Sequence, residues 1–112
     1  MSSQRVAKVE SLIRQVVATG LWTELDKDGA QVTVTNVDAS PDLRNASVYV
    51  GILGDEAQGK RILDRIEGIK PMIQARLAKS MSMKYVPRIH FRHDTGGAYS
   101  AEIGHILDTL KQ

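Results

Sequence analysis

Two runs of alternating apolar and polar residues, separated by one short turn, leave this chain few ways to fold. Over 31–38, Val32 and Val34 alternate with Thr33 and Thr35; over 46–52, Ala46, Val48, Val50 and Ile52 alternate with Ser47, Tyr49 and Gly51. Alternation of this kind marks strands with one buried face, and strands so close in sequence pair antiparallel. Asp38-Ala39-Ser40-Pro41-Asp42 supplies a connection wider than a two-residue hairpin turn. A two-stranded ribbon is marginal in water, so the rest of the chain must cover its apolar face.

The flanking segments have helical periodicity. Val6, Val9, Ile13, Val16 and Val17 form one stripe, which predicts a helix over 4–19 that ends near Gly20, with Leu21, Trp22 and Leu25 folding back over the core. Asp26-Lys27-Asp28-Gly29 reads as a turn; Ala30, Gln31 and Val32 lack the later acidic ligands of a calcium loop. After the second strand Asp55 is placed to cap a helix carrying Ala57, Ile62, Leu63 and Ile66. Gly68-Ile69-Lys70-Pro71 then predicts a stop and restart, an interhelical kink, before a further helix carrying Ile73, Leu77 and Met81. A third strand is expected over 85–93, with Pro87 confining its start to an edge and Ile89 and Phe91 facing opposite to Arg88, His90 and Arg92. Returning across the sheet, it should lie parallel to the second strand. Ile103, Ile106, Leu107 and Leu110 predict a last helix over 100–111. The expected fold is therefore α+β, in the order α-β-β-α-kink-α-β-α. Its small mixed three-stranded sheet is covered by helices on one face.

Charge is unevenly distributed along this plan. Fifteen basic and thirteen acidic residues leave the chain at +2, yet residues 60–92 hold nine basic side chains against Asp64 and Glu67, a net of +7. A field so concentrated points to a polyanionic partner, the alternative being a basic face that serves solubility alone. Lys60, Arg61, Lys70, Arg76, Lys79, Lys84, Arg88 and Arg92 are the candidate contacts. Lys70, beside the kink, and Arg88 and Arg92, on the non-core face, are favoured. Arg5, Lys8 and Arg14 lie outside this segment.

Other chemistries find little support. A length of 112 residues fits a single domain spanning 1–112, and the absence of cysteine excludes disulfides, thiol nucleophiles and thiolate metal sites. No apolar signal segment or membrane-length run is apparent, so a cytoplasmic protein without membrane attachment is expected. His90 and His93 fall on opposite faces of an extended strand, and His105 on the polar side of the last helix, so no metal or other cofactor is expected. The serines lack a base and an orienting acid at readable spacing, and no phosphate-binding loop or dinucleotide fingerprint is present, so no enzyme is expected.

The order of elements resembles a type II KH domain, and the sequence is similar to the ribosome-binding factor A family. The most specific match runs from Val32 to Val50, through a valine-threonine strand, Ser40-Pro41-Asp42-Leu43 and Ala46-Ser47-Val48-Tyr49-Val50. Leu77-Ala78-Lys79-Ser80-Met81, Tyr85-Val86-Pro87-Arg88-Ile89-His90-Phe91 and the Arg5-Val6 start extend it over nearly the whole chain. The family replaces the Gly-x-x-Gly loop of RNA-gripping KH domains with an Ala-x-Gly kink. That kink aligns with Ile69, Lys70 and Pro71, so neither form is intact. The family's basic, proline-containing segment after the first helix is replaced by the acidic 24–28 region, and the tail many members carry is expected to be missing. The resemblance implies a monomeric, non-enzymatic factor for ribosome biogenesis. It would bind the free small (30S) ribosomal subunit and its 16S rRNA, with no DNA partner, and aid late rRNA processing, including the 5′ region, with cold adaptation as a common role. The eight basic residues above would then be RNA contacts. A general KH-like RNA chaperone or translation regulator, and a protein-interaction domain without RNA, are the alternatives. Phe91 is expected in the core, whereas Tyr85 is open to either packing or base stacking.

Overall fold

The computed structural model describes residues 4–25, 32–82 and 84–94. They form helix α1 (Gln4–Leu25), strands β1 (Val32–Ala39) and β2 (Asn45–Ile52), helix α2 (Glu56–Ser80) and strand β3 (Arg88–His93). The expected last helix, His105 and the Asp26–Gly29 turn lie outside the described residues. Strand order is β1-β2-β3, with β1 antiparallel and β3 parallel to the central β2. This is the α+β, KH-like mixed sheet that the sequence implies.

The central strand sets the two faces. Ala46, Val48 and Val50 are almost wholly buried and stand in register with Ile89, Phe91 and His93 of β3. On β1 the alternation changes parity, because Val34 pairs with Val50 but Asn36 with Tyr49. The extra residue, Thr35, is a bulge, and it allows Val37 and Ala39 to face inward although Val32 and Val34 begin on the other parity.

Both helices cover the apolar face. Val6, Val9, Ile13, Val17, Leu21 and Leu25 form one buried stripe of α1, so the helix continues past Gly20 instead of ending there. Gly20 instead permits close approach: a Cβ at this position would lie 3.0 Å from Ile73 Cγ1 of α2. Leu21 and Leu25 reach the core as members of that helix, while Trp22, about 100° around from Leu21, is 73% exposed. On the β1 side of α1, Glu10 Oε2 accepts from Ala39 N–H at 2.8 Å and Arg14 Nη1 donates to the Val34 carbonyl at 3.1 Å.

The expected stop at Gly68-Ile69-Lys70-Pro71 is not a break between two helices, since α2 runs continuously with Pro71 inside it. Proline removes one hydrogen bond, to the Glu67 carbonyl, at a cost of about 3 kcal/mol. Ile66, Ile73 and Leu77 flank it and are fully buried, each contributing about 1.5–3 kcal/mol, so packing holds both halves in one helix. Gly68 is exposed, has no positive φ, and a Cβ there would meet nothing within 4 Å.

The two glycines should therefore respond oppositely in urea unfolding. Gly68→Ala is expected to stabilise by about 0.5–1 kcal/mol through helix propensity. Gly20→Leu is expected to destabilise by about 1–3 kcal/mol through overpacking against Ile73. Equal shifts of the same sign would contradict this assignment.

Candidate nucleic-acid interface

Helix α2 begins with a capping box: Asp55 Oδ1 accepts from Gln58 N–H at 2.8 Å, and Gln58 Oε1 accepts from Asp55 N–H at 3.1 Å. Along the helix, Gly59, Ile66, Ile73 and Leu77 are buried and define its inward face. At 100° per residue, Arg61, Arg65, Arg76 and Lys79 then fall within about 60° of one another. Lys60 shares the opposite flank with Asp64 and Glu67. Lys70 lies near the buried stripe, its Nζ 3.8 Å from Glu67 Oε2. The basic flank adjoins α1, where Leu12, Gln15, Val16, Thr19, Arg76 and Lys79 line a shallow groove.

Arg88 and Arg92 lie elsewhere. Register places Arg88 beside Asn45 and Arg92 beside Tyr49, on the sheet face opposite the helices. Asn36, Tyr49 and Arg92 make one row across all three strands, and Asp38, Ser47 and His90 the next. His90 Nε2 is 2.9 Å from Asn45 Oδ1. The eight candidate cations therefore divide between the helical layer and the open face of the sheet, with Lys84 in the link between α2 and β3.

The position of Arg88 depends on Gln74. Its Nε2 donates to the Pro87 carbonyl at 2.7 Å, and its Oε1 accepts from Ile89 N–H at 3.1 Å, satisfying the outer edge of β3 on both sides of Arg88. Arg88 N–H itself donates to the Arg44 carbonyl at 2.9 Å. Sequence reasoning passed over Gln74, for which the only signal was an amide beside the apolar stripe of α2.

Arg44 was also missed, as was its grouping with Arg5 and the candidate Lys84. Arg5 from the start of α1, Arg44 from the β1–β2 turn, and Lys84 line one cleft with Tyr85. The turn is firmly built: Ser40 N–H donates to the Asn45 carbonyl at 2.8 Å, and buried Leu43 adopts φ of 60°. Asp42 Oδ1 accepts from Ser40 Oγ at 2.6 Å and from Arg44 N–H at 3.1 Å. The Ser40 hydroxyl, then the Arg44 amide, hold the Asp42 carboxyl below the usual carboxylate range. Tyr85, left open between packing and stacking, is 67% exposed, with Lys84 Nζ 5.5 Å from its ring centroid. Among the described residues no group of three His, Asp or Glu is placed to hold a metal, and no helix is long and apolar enough to cross a membrane.

A mixed sheet backed by two helices, with cations on its open face, along one helix flank and at one end, defines a small α+β domain of KH-like fold. The sequence pattern of the ribosome-binding factor A family matches residues 5–107, and the chain belongs to that family. A ribosome-binding factor A of Rhodopirellula baltica is 35% identical over 113 aligned positions, covering 100% of this chain and 82% of the relative. The crystal structure of ribosome-binding factor A from Thermus thermophilus superposes with a TM-score of 0.63 at 27% identity, covering 79% of this chain and 93% of that one. A homology model of the Thermus thermophilus factor, fitted into a cryo-EM map of a 30S–RbfA complex, gives 0.60 at 27% identity, over 78% of this chain and 92% of that one.

Gln74→Leu leaves two polar groups of the β3 edge without their partner and should cost about 1–3 kcal/mol. Amide exchange at Ile89 should accelerate more than at Val48, and unchanged exchange at Ile89 would remove Gln74 from its positioning role.

Proposed function

We propose that this protein binds the free small ribosomal subunit through 16S rRNA and assists its late maturation, including processing of the 5′ region. The observation that carries this reading is the fold-level likeness to a Thermus thermophilus ribosome-binding factor A placed in a map of a 30S complex. The physical support is the +7 segment 60–92, whose cations occupy a helix flank and an open sheet face. Such cations bind phosphate with little regard for base identity, so selectivity for one particle comes from the shape joining the two surfaces. The protein acts as a monomeric cytoplasmic binding factor with no reaction of its own. Demand for it rises in the cold, where misfolded rRNA helices rearrange slowly.

Cosedimentation with purified small subunits, large subunits and assembled ribosomes over a salt series tests this. Selective association with free small subunits is expected, and a Lys79, Arg88 and Arg92 triple alanine variant should reduce the log-log salt slope by up to about one unit for each lost phosphate contact. Equal association with all three particles would indicate a general RNA chaperone. Association insensitive to both salt and these substitutions would indicate a protein-mediated contact. Depletion should lengthen the 5′ ends of 16S rRNA in primer extension; mature ends throughout would remove the processing role.

A further inference from the structure

At one end of the sheet, the start of α1, the β1–β2 turn and the α2–β3 link enclose a cleft of about 560 Å³. Its lining is chemically mixed. Arg5, Arg44 and Lys84 bring three exposed cations, Tyr85 an exposed ring, and Val6, Pro41 and Leu43 an apolar part of the wall. Among the described residues Asp42 is the single carboxylate of the lining. We propose that this cleft holds one unstacked nucleotide of single-stranded RNA, its base against Tyr85 and its phosphates among Arg5, Arg44 and Lys84. This rests on the small-subunit reading and adds to it a contact with a single-stranded nucleotide, away from the basic flank of α2.

Each part of the ligand has a matching chemistry. A base stacks on a tyrosine face irrespective of its identity, and a cation beside the same ring adds to the attraction for an RNA backbone. Asp42, kept ionised by Ser40 and the Arg44 amide, repels phosphate and accepts N–H or O–H donors. It therefore turns the base or ribose toward its own wall and the phosphates toward the cations. The cleft is also held in shape before binding. Leu43 is anchored in the core, Ser40 closes the turn onto Asn45, and Arg88 N–H ties the start of β3 to Arg44. The backbone of this wall is therefore set before binding, and the ordering cost falls on the exposed side chains of Arg5, Arg44 and Lys84. Arg88 then continues from the rim onto the open sheet face, so a strand leaving the cleft meets further positive charge. Duplex RNA, whose bases are stacked, cannot offer a base to Tyr85.

Fluorescence anisotropy of the full chain with a labelled six-nucleotide single-stranded RNA tests the assignment. Tyr85→Ala should weaken binding about tenfold, a typical loss for one base–aromatic stack, whereas Tyr85→Phe retains the ring and should bind as wild type. Because Tyr85 is largely exposed, both variants should keep the wild-type unfolding midpoint. Arg44→Ala and Lys84→Ala should each lower the salt slope by about 0.7. A blunt duplex of the same sequence should show no dependence on residue 85. Equal affinity of Tyr85→Ala and wild type for the single strand, failure of Tyr85→Phe to restore it, or equal competition by a glutamate-rich hexapeptide would each overturn the nucleotide assignment. Failure of wild-type protein to associate with small subunits would instead overturn the function proposed above, and the oligonucleotide result separates the two.

Discussion

Burial of the central strand β2 governs this structure. Ala46, Val48 and Val50 sit under two helices and between two strands, with almost no exposure. Since side chains alternate strictly, fixing that face inward fixes Asn45, Ser47 and Tyr49 outward, and register extends the division to Arg88, His90 and Arg92. The charged sheet face thus follows from the core. A one-residue slip of β3 would carry its arginines into the apolar layer, where they would lack solvation.

The helices meet a second constraint, the limited space above a three-stranded sheet. Gly20 lets α1 approach Ile73, and the neighbouring groove places Leu12 and Val16 beside Arg76 and Lys79, so the helices run in opposite directions. That antiparallel arrangement brings the start of α1 back to the α2–β3 link. Arg5, remote in sequence from the basic segment, thereby joins Arg44 and Lys84 at one end of the sheet. The basic surface extends beyond any one run of sequence because the helical layer folds its ends together.

Patterning was most legible where burial leaves a regular trace. Both hairpin strands, the Asp55 cap, the parallel return of β3 and the placement of Arg88 and Arg92 away from the core all follow from period and turn chemistry. The bulge at Thr35 was hidden, because an inserted residue merely shifts parity, and Val34 and Val37 are each plausible inward residues when read separately. Gly20 and Pro71 misled for a common reason. Local propensity marks both as ends, yet Leu21 and Leu25 beyond the first, and Ile73 and Leu77 beyond the second, bury enough apolar surface to continue each helix. In the candidate site, the charge count identified the segment, but not the rotation of α2 that sets Lys60 and Lys70 apart from Arg61, Arg76 and Lys79. Gln74 and the Arg5–Arg44–Lys84 grouping required three-dimensional contacts that spacing does not encode.

Photo-crosslinking of the intact protein to purified small subunits, with crosslinked peptides identified by mass spectrometry, tests most directly whether these basic surfaces face RNA. The account predicts rRNA crosslinks on peptides spanning residues 76–92, with Arg5 and Arg44 represented and the exposed apolar side chains Trp22 and Leu53 free of them. Crosslinks concentrated at Trp22 and Leu53, with residues 76–92 unmodified, would contradict it.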